Sequence, residues 1–283
     1  MARLAHLSDL HFGAHDDKLV AGVEERLDEL KPDLVVISGD FTQRARTEQF
    51  EQACAFLERL KAKGHEVLGV PGNHDVPLYD VLRRFFSPLT RYRRFIDDSL
   101  CPFHMLPGAA VLGINTARSL TFKDGRINQS QVEFIRETIA RTPDDVARIL
   151  VTHHPLFALP VGDGPELGKA IGRQELALDA VADAGVDLLL AGHNHRASSH
   201  HANELVTGAG EALVIQAGTA TSTRLRDEEQ SFNLIEVGPA EAVLTVQAWG
   251  GDQFVSRDAG RFVQKDKKWE ASTGEQLAEA PEA

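Results

Sequence analysis

Carboxylates, one amide and imidazoles stand at the ends of five short apolar runs in this 283-residue chain. Leu4-Ala5-His6-Leu7-Ser8 leads into Asp9-Leu10-His11, and Leu34-Val35-Val36-Ile37-Ser38 leads into Gly39-Asp40. Val67-Leu68-Gly69-Val70-Pro71 stops in Gly72-Asn73-His74-Asp75. Arg148-Ile149-Leu150-Val151-Thr152 runs into His153-His154-Pro155, and Asp187-Leu188-Leu189-Leu190-Ala191 into Gly192-His193-Asn194-His195. Mixed oxygen and imidazole donors suit iron, manganese, cobalt or zinc, whereas a magnesium site carries more oxygen and less imidazole. In an extended segment residues i and i+2 point the same way, so Asp9 and His11 are expected to chelate one ion. His193 and His195 are spaced to do the same.

Such donors act together only if the fold gathers five distant positions. Short apolar runs bounded by turn residues read as buried strands, and groups at one edge of a layered α/β sheet converge on a crevice. Between the runs, residues 18–30 place Val20, Val23, Leu27 and Leu30 at helical spacing, with Pro32 closing the segment. Residues 47–63 carry Phe50, Cys54, Leu57 and Leu60 on one side and meet Gly64 as a stop. Residues 109–116 predict a strand, 127–139 a helix capped by Asn128 or Ser130, and 176–184 another helix. The runs at 213–217, 232–237 and 243–249 predict a second sheet packed on the first.

The alternation breaks over residues 77–106, where Phe85, Phe86, Tyr92 and Phe95 are interleaved with Arg83, Arg84, Arg91, Arg93 and Arg94. This basic island reads either as a cap or dimer element that meets an anionic substrate, or as an amphipathic helical insert with its arginines on a solvated face. Residues 156–169, rich in Pro and Gly, predict a loop over the site. The domain is expected to span 1–264, with 265–283 a disordered, charged tail.

Asp-x-His, Gly-Asp, Gly-Asn-His-Asp, His and Gly-His-x-His in this order resemble the calcineurin-like metallophosphoesterase family, over roughly the first two hundred residues. Among its branches the chain looks most like the bacterial phosphodiesterases that hydrolyse cyclic nucleotides and glycerophosphodiesters. Gly39-Asp40 is followed by Phe41-Thr42-Gln43-Arg44, not by the Asp-Arg-Gly extension of the protein phosphatases. With the strand and helix pattern, the expected fold is α/β, a four-layer α-β-β-α sandwich of two packed mixed sheets with a small helical insert.

The resemblance implies two divalent transition-metal ions, one held by Asp9, His11 and His195, the other by Asn73, His153 and His193, with Asp40 bridging. Splitting His193 from His195 requires a bend in that turn. Two dications less two carboxylates leave a charge near +2, suited to a hydroxide and a phosphate anion together. The resemblance further implies that a water shared by the ions attacks phosphorus, that His74 contacts the phosphate and assists the leaving oxygen, and that Asp75 orients its ring. His154 reads as a packing residue beside a ligand, and His6, His15, His65, His104, His200 and His201 as surface or packing residues. Thr219, Ser222, Arg224 and Arg226 could reach phosphate, but read better as a polar loop.

A net charge of −12 argues against a broad nucleic-acid or anionic-membrane surface, though it leaves room for a local basic patch. Cys54 and Cys101 form no metal or redox pair. The start of the chain lacks an apolar signal core, and no run approaches a membrane span, so a cytoplasmic location is expected. The leading function is hydrolysis of a small-molecule or cyclic phosphodiester. Alternatives on the same residues are a nuclease, a nucleotide-sugar lipid pyrophosphatase, and a non-catalytic binding scaffold.

Overall fold

Two sheets lie face to face with helices outside each. The computed structural model describes residues 1–120, 124–158, 171–195, 197–201, 211–223, 229–266 and 268–272. In chain order the elements of the first half are β1 (Ala2–Leu7), α1 (Asp17–Leu30), β2 (Leu34–Ile37), α2 (Thr47–Ala62), β3 (Val67–Gly69), α3 (Val81–Phe86), α4 (Thr90–Phe95), β4 (Phe103–Leu106) and β5 (Ala109–Gly113). The second half contains α5 (Gln129–Ile139), β6 (Ala147–Val151), α6 (Gln174–Ala184), β7 (Leu188–Ala191), β8 (Ser198–His201), β9 (Leu213–Gln216), β10 (Ser231–Gly238), β11 (Glu241–Trp249), β12 (Phe254–Lys265) and β13 (Lys268–Ala271).

Sheet one runs β13-β12-β11-β10-β1-β2-β3 and sheet two β4-β5-β6-β7-β9-β8. Both are mixed, with β1, β2 and β3 parallel in one and β5, β6, β7 and β9 parallel in the other. Strands covered on both faces read as unbroken apolar runs, which is why the segments preceding the donors carry so little polarity. Alternate residues of β2 serve different layers: Leu34 and Val36 enter the core between the sheets, while Val35 and Ile37 pack under α1 and α2. A third cluster joins α5 and α6 to Leu112, Leu150, Leu189 and Val214 on the outer face of sheet two. The four-layer α-β-β-α order follows.

Helix ends obey local chemistry. Asp16 caps α1 by accepting from the Lys18 amide, Asn128 caps α5 by accepting from the Gln131 amide, and Gly64 follows α2 with φ +89°. Among the described residues no helix is long and apolar enough to cross a membrane.

Three expectations change. The C-terminal runs do not make a sheet of their own: β9 joins sheet two, whereas β10 to β13 extend sheet one antiparallel from β1. Nor is the segment from 265 all tail, because β13 pairs with β12 and buries Trp269. The 77–106 insert is helical only in part, since Phe103–Leu106 forms the edge strand β4 of sheet two. Most of the loop expected at 156–169 lies outside the described residues, as do Arg224, Arg226 and residues 273–283 of the tail.

Candidate metal centre

The five turns that follow β1, β2, β3, β6 and β7 meet where the two sheets abut, three contributed by one sheet and two by the other. Asp9 (φ 53°), His11 (49°), Asp40 (53°), His193 (72°) and His195 (60°) all lie in the left-handed region. That conformation costs an L-residue roughly 1–2 kcal/mol, and Asp, Asn and His tolerate it best. The Asp9/His11 pair is therefore not aimed by an extended backbone as expected; two left-handed residues turn both side chains inward. The bend required between His193 and His195 is present, closed by the Asn194 amide donating to the Gly192 carbonyl at 2.9 Å. Gly39, at φ +103°, is confined by its neighbour as well, since a Cβ there would lie 2.6 Å from His153 Nδ1.

The turns create two groups of donor atoms. In one, Asp9 Oδ1 lies 3.5 Å from His11 Nε2 and 3.2 Å from His195 Nε2, and the two imidazole nitrogens are 3.4 Å apart. In the other, Asn73 Oδ1 is 3.1 Å from both His153 Nε2 and His193 Nδ1. Asp40 Oδ2 faces both, 3.9 Å from His11 Nε2 and 3.4 Å from His153 Nε2. Asp9, His11, Asp40 and His153 are fully or almost fully buried, while Asn73, His74 and His193 are part-exposed and mark the open side.

Proton bookkeeping shows what fits there. His153 Nδ1 stands 2.7 Å from the Ser38 carbonyl, which only accepts, so Nδ1 carries a hydrogen. Nε2 is directed at two acceptors, Asn73 Oδ1 and Asp40 Oδ2, toward which it presents a second hydrogen as the imidazolium and a lone pair once that proton is gone. Asp9 Oδ1 is buried with no hydrogen-bond donor, while Oδ2 accepts from Ser8 Oγ at 2.7 Å and from the His193 amide at 3.0 Å. Converging acceptors without donors call for a cation, and these donors fit a transition-metal ion. In its absence protons take that part. Burial lowers His153, but the Asp40 carboxylate outweighs it and pushes the imidazole up to about 9. Burial would raise Asp9 and Asp40 too, yet the surrounding histidines hold both below the ordinary carboxylate range. His193 is pushed down to about 4, chiefly by burial, then by the charge of His153.

His74 and Asp75 part company with expectation. The His74 ring lies 4.8 Å from that of His11, and the His74 amide donates to Asp40 Oδ1 at 2.8 Å. Its Nδ1 sits 2.7 Å from the Gln43 carbonyl, not against Asp75. Asp75 instead accepts from the amides of Phe41, Thr42 and Gly72 and from Thr42 Oγ1, between 2.9 and 3.2 Å. A carboxylate one residue along a tight 3₁₀ turn cannot reach back to its neighbour's ring, so it ties the 40–42 turn to the 72–75 turn. Burial, followed by the Asp40 charge, pushes its carboxyl up to about 6 against the pull of those amides.

Several supporting groups carried no clear signal in the sequence. Thr219 Oγ1 donates to the Asp9 carbonyl at 2.8 Å, Thr221 Oγ1 to the Leu10 carbonyl at 2.7 Å, and the Ala220 amide to the Ser8 carbonyl at 3.2 Å. These contacts fasten the turn that carries Asp9 and His11, while Arg224 and Arg226 of the same segment lie outside the described residues. Its run of small hydroxyl residues directly after a strand was the available clue. His154 Nδ1 pairs with Thr116 Oγ1 at 2.8 Å, and the ring also clusters with His153 and His193 in a group able to hold a metal ion. His6 is buried against Ser38 Oγ at 2.9 Å, and His65 pairs with Asp28 at 3.0 Å. The basic island is not simply a solvated face: Arg84 is buried, donating to the Ser119 and Pro77 carbonyls, and Arg91 donates to the Ala45 carbonyl.

Residues 2–197 match the family model described as calcineurin-like phosphoesterase. The chain belongs to that family. Among curated relatives, it is 24% identical over 213 residues to a probable cyclic nucleotide phosphodiesterase of Synechococcus sp., covering 69% of this chain and 73% of that one. It is 26% identical over 178 residues to a probable glycerophosphodiester phosphodiesterase of Arcobacter nitrofigilis, covering 62% of this chain and 61% of that one. The fold resembles a dimetal phosphatase from Danio rerio with a TM-score of 0.60 at 13% identity, over 91% of this chain and 98% of that one. This calcineurin-like protein is a metal-dependent phosphoester hydrolase, with clustered His and Asp side chains able to hold metal.

Proposed function

We propose that the protein hydrolyses a small phosphodiester at a dinuclear centre. Asp9, His11 and His195 hold one ion, Asn73, His153 and His193 the other, and Asp40 lies between them. The observation that carries this reading is the pair of donor-atom groups sharing the Asp40 carboxylate, with Asp9 Oδ1 buried and without a hydrogen-bond donor in one of them. Manganese, iron, zinc or cobalt fit the donors. When bound, such a pair supplies a nucleophilic water near neutral pH and a positive field for the charge developing on phosphorus.

The chain's own groups supply the rest. Ser8 and the His193 amide fix Asp9 so that Oδ1 faces inward, and Ser38 fixes the tautomer of His153. As the imidazolium, His74 holds one hydrogen at Nδ1 against the Gln43 carbonyl and presents the other at Nε2, which passes to the departing alkoxide and leaves the ring neutral. Asp75 acts through the turns it ties together. A site charge near +2 matches a singly charged diester better than a doubly charged monoester, and the printed activities of the relatives, cyclic nucleotide and glycerophosphodiester hydrolysis, lie in the same class.

Turnover on a matched panel of phosphate monoester, linear diester and cyclic nucleotide, with manganese supplied, tests the reading. The diesters are expected to exceed the monoester in kcat/KM by about tenfold or more. Equal or better monoester turnover would overturn the substrate assignment.

A further inference from the structure

Three strands of sheet one change character at the same level. On the face turned to sheet two, Ala2 and Leu4 of β1, Leu34 and Val36 of β2, and Ile235 and Val237 of β10 belong to the apolar core. By the alternation of a strand, the next positions on that face are His6, Ser38 just past β2, and Asn233. All three are fully or almost fully buried. They lie side by side, since β10, β1 and β2 are neighbours and His6 stands opposite Asn233 in the register of β1 with β10. A buried polar group is costly unless it is hydrogen-bonded, so the partners of this row matter.

The row reaches the metal centre at both ends. His6 Nε2 is 2.9 Å from Ser38 Oγ, and the Ser38 carbonyl lies 2.7 Å from His153 Nδ1. At the other end Asn233 Nδ2 donates to the Gln216 carbonyl of sheet two at 2.8 Å, and Gln216 Nε2 donates to the Gly192 carbonyl at 3.3 Å. Gly192 opens the turn that carries His193, and its amide donates to the His153 carbonyl at 3.1 Å. The Gln216 contact fixes the Asn233 amide, because the flipped group would set two carbonyl oxygens against each other. Between the ends, His6 Nδ1 and Asn233 Oδ1 are both buried with no hydrogen-bond partner among the described residues. Residues directly opposed across an antiparallel pair hold their Cβ atoms about 4.5–5.5 Å apart, a span that one water bridges. Water donates to Oδ1 and can either donate to or accept from Nδ1, so it serves both neutral tautomers of the ring. Burial, against the pull of Asp9, holds the His6 imidazole down at about 3 and keeps it neutral. On the dinuclear reading, in which His153 and His193 serve one ion, we propose that His6 and Asn233 share one buried water and are positioning residues for that pair of ligands. Satisfied polar networks of this kind rigidify what they join, and fixed orientation is what a metal-binding imidazole needs.

A crystal structure of the metal-free chain is expected to show an ordered water within about 3 Å of both His6 Nδ1 and Asn233 Oδ1. This arm uses no variant and stands even if a substituted chain fails to fold. In manganese titration of the apo-protein, His6→Leu and Asn233→Leu are each expected to weaken, by about tenfold or more, the binding step that Asn73→Ala impairs, and to leave the other step alone. Because the two side chains act through one water, the double variant should weaken that step no further than either single one. His6→Gln, which keeps a polar group beside Ser38 Oγ, should weaken it less than His6→Leu. No water between the two atoms, unchanged affinity at both steps, or equal weakening of both would overturn the proposal. A wild-type chain that binds a single ion would instead overturn the dinuclear reading, and the water and the leucine variants would still decide the role of the row.

Discussion

A proton donor must be held on one side and free on the other, and His74 meets that condition in a way no other histidine of the centre does. Its Nδ1 faces the Gln43 carbonyl, its ring is part-exposed, and although it clusters with His11 and Asp40 it has no ligand role in the proposed centre. His74→Ala is therefore expected to lower kcat by about 10²–10⁴-fold with both ions retained in metal analysis. The deficit should shrink for a nitrophenolate leaving group, which needs little protonation; an equal deficit, or loss of an ion, would make His74 structural. The residues of this centre were legible because their types are chemically distinctive and each stands at the end of an apolar run. The partner of His74 was not, since Gln43 meets Nδ1 with its main-chain carbonyl at 2.7 Å and its side-chain amide at 3.3 Å, and a carbonyl leaves no mark in the sequence. The left-handed backbones were equally silent: Asp and His tolerate that conformation without announcing it.

Elements were legible in kind and illegible in association. Strand β9 is apolar on both faces, so nothing in Leu-Val-Ile-Gln says whether it pairs with β7 in one sheet or beside β10 in the other. Strand β13 buries one tryptophan in a charged stretch, too little for a periodic signal. The hydroxyl run after β9 has a role that only pairing reveals, because Thr219 and Thr221 hold the two carbonyls between Asp9 and His11. Thr219→Val with Thr221→Val keeps the shape and strands two buried carbonyls, each costing about 1–3 kcal/mol. The ion assigned to Asp9, His11 and His195 is expected to bind at least about tenfold more weakly, with the other unaffected and Thr→Ser at both positions restoring it. Metal titration of the apo-protein reads this directly; equal weakening of both ions would show a general loss of folding.

At the scale of the whole molecule, the centre stands on the seam between the sheets, with Asp9, Asp40 and Asn73 rooted in one and His153, His193 and His195 in the other. Each proposed ion draws ligands from both. Ions bound at about a hundred times their dissociation constant would add about 2.7 kcal/mol each to the folded state. Removing them with a chelator is thus expected to lower the unfolding temperature by roughly 5–10 °C, as a calorimetric scan would show. An unchanged midpoint would mean that the ions do not join the halves. The contact core between the sheets is apolar and non-directional, able to tolerate small sliding; a metal ion with fixed bond lengths is not. The pair would then act as rivets that set the register of one sheet against the other, so that a chain whose halves had docked slightly askew could not take up metal, and loading itself would proofread the fold.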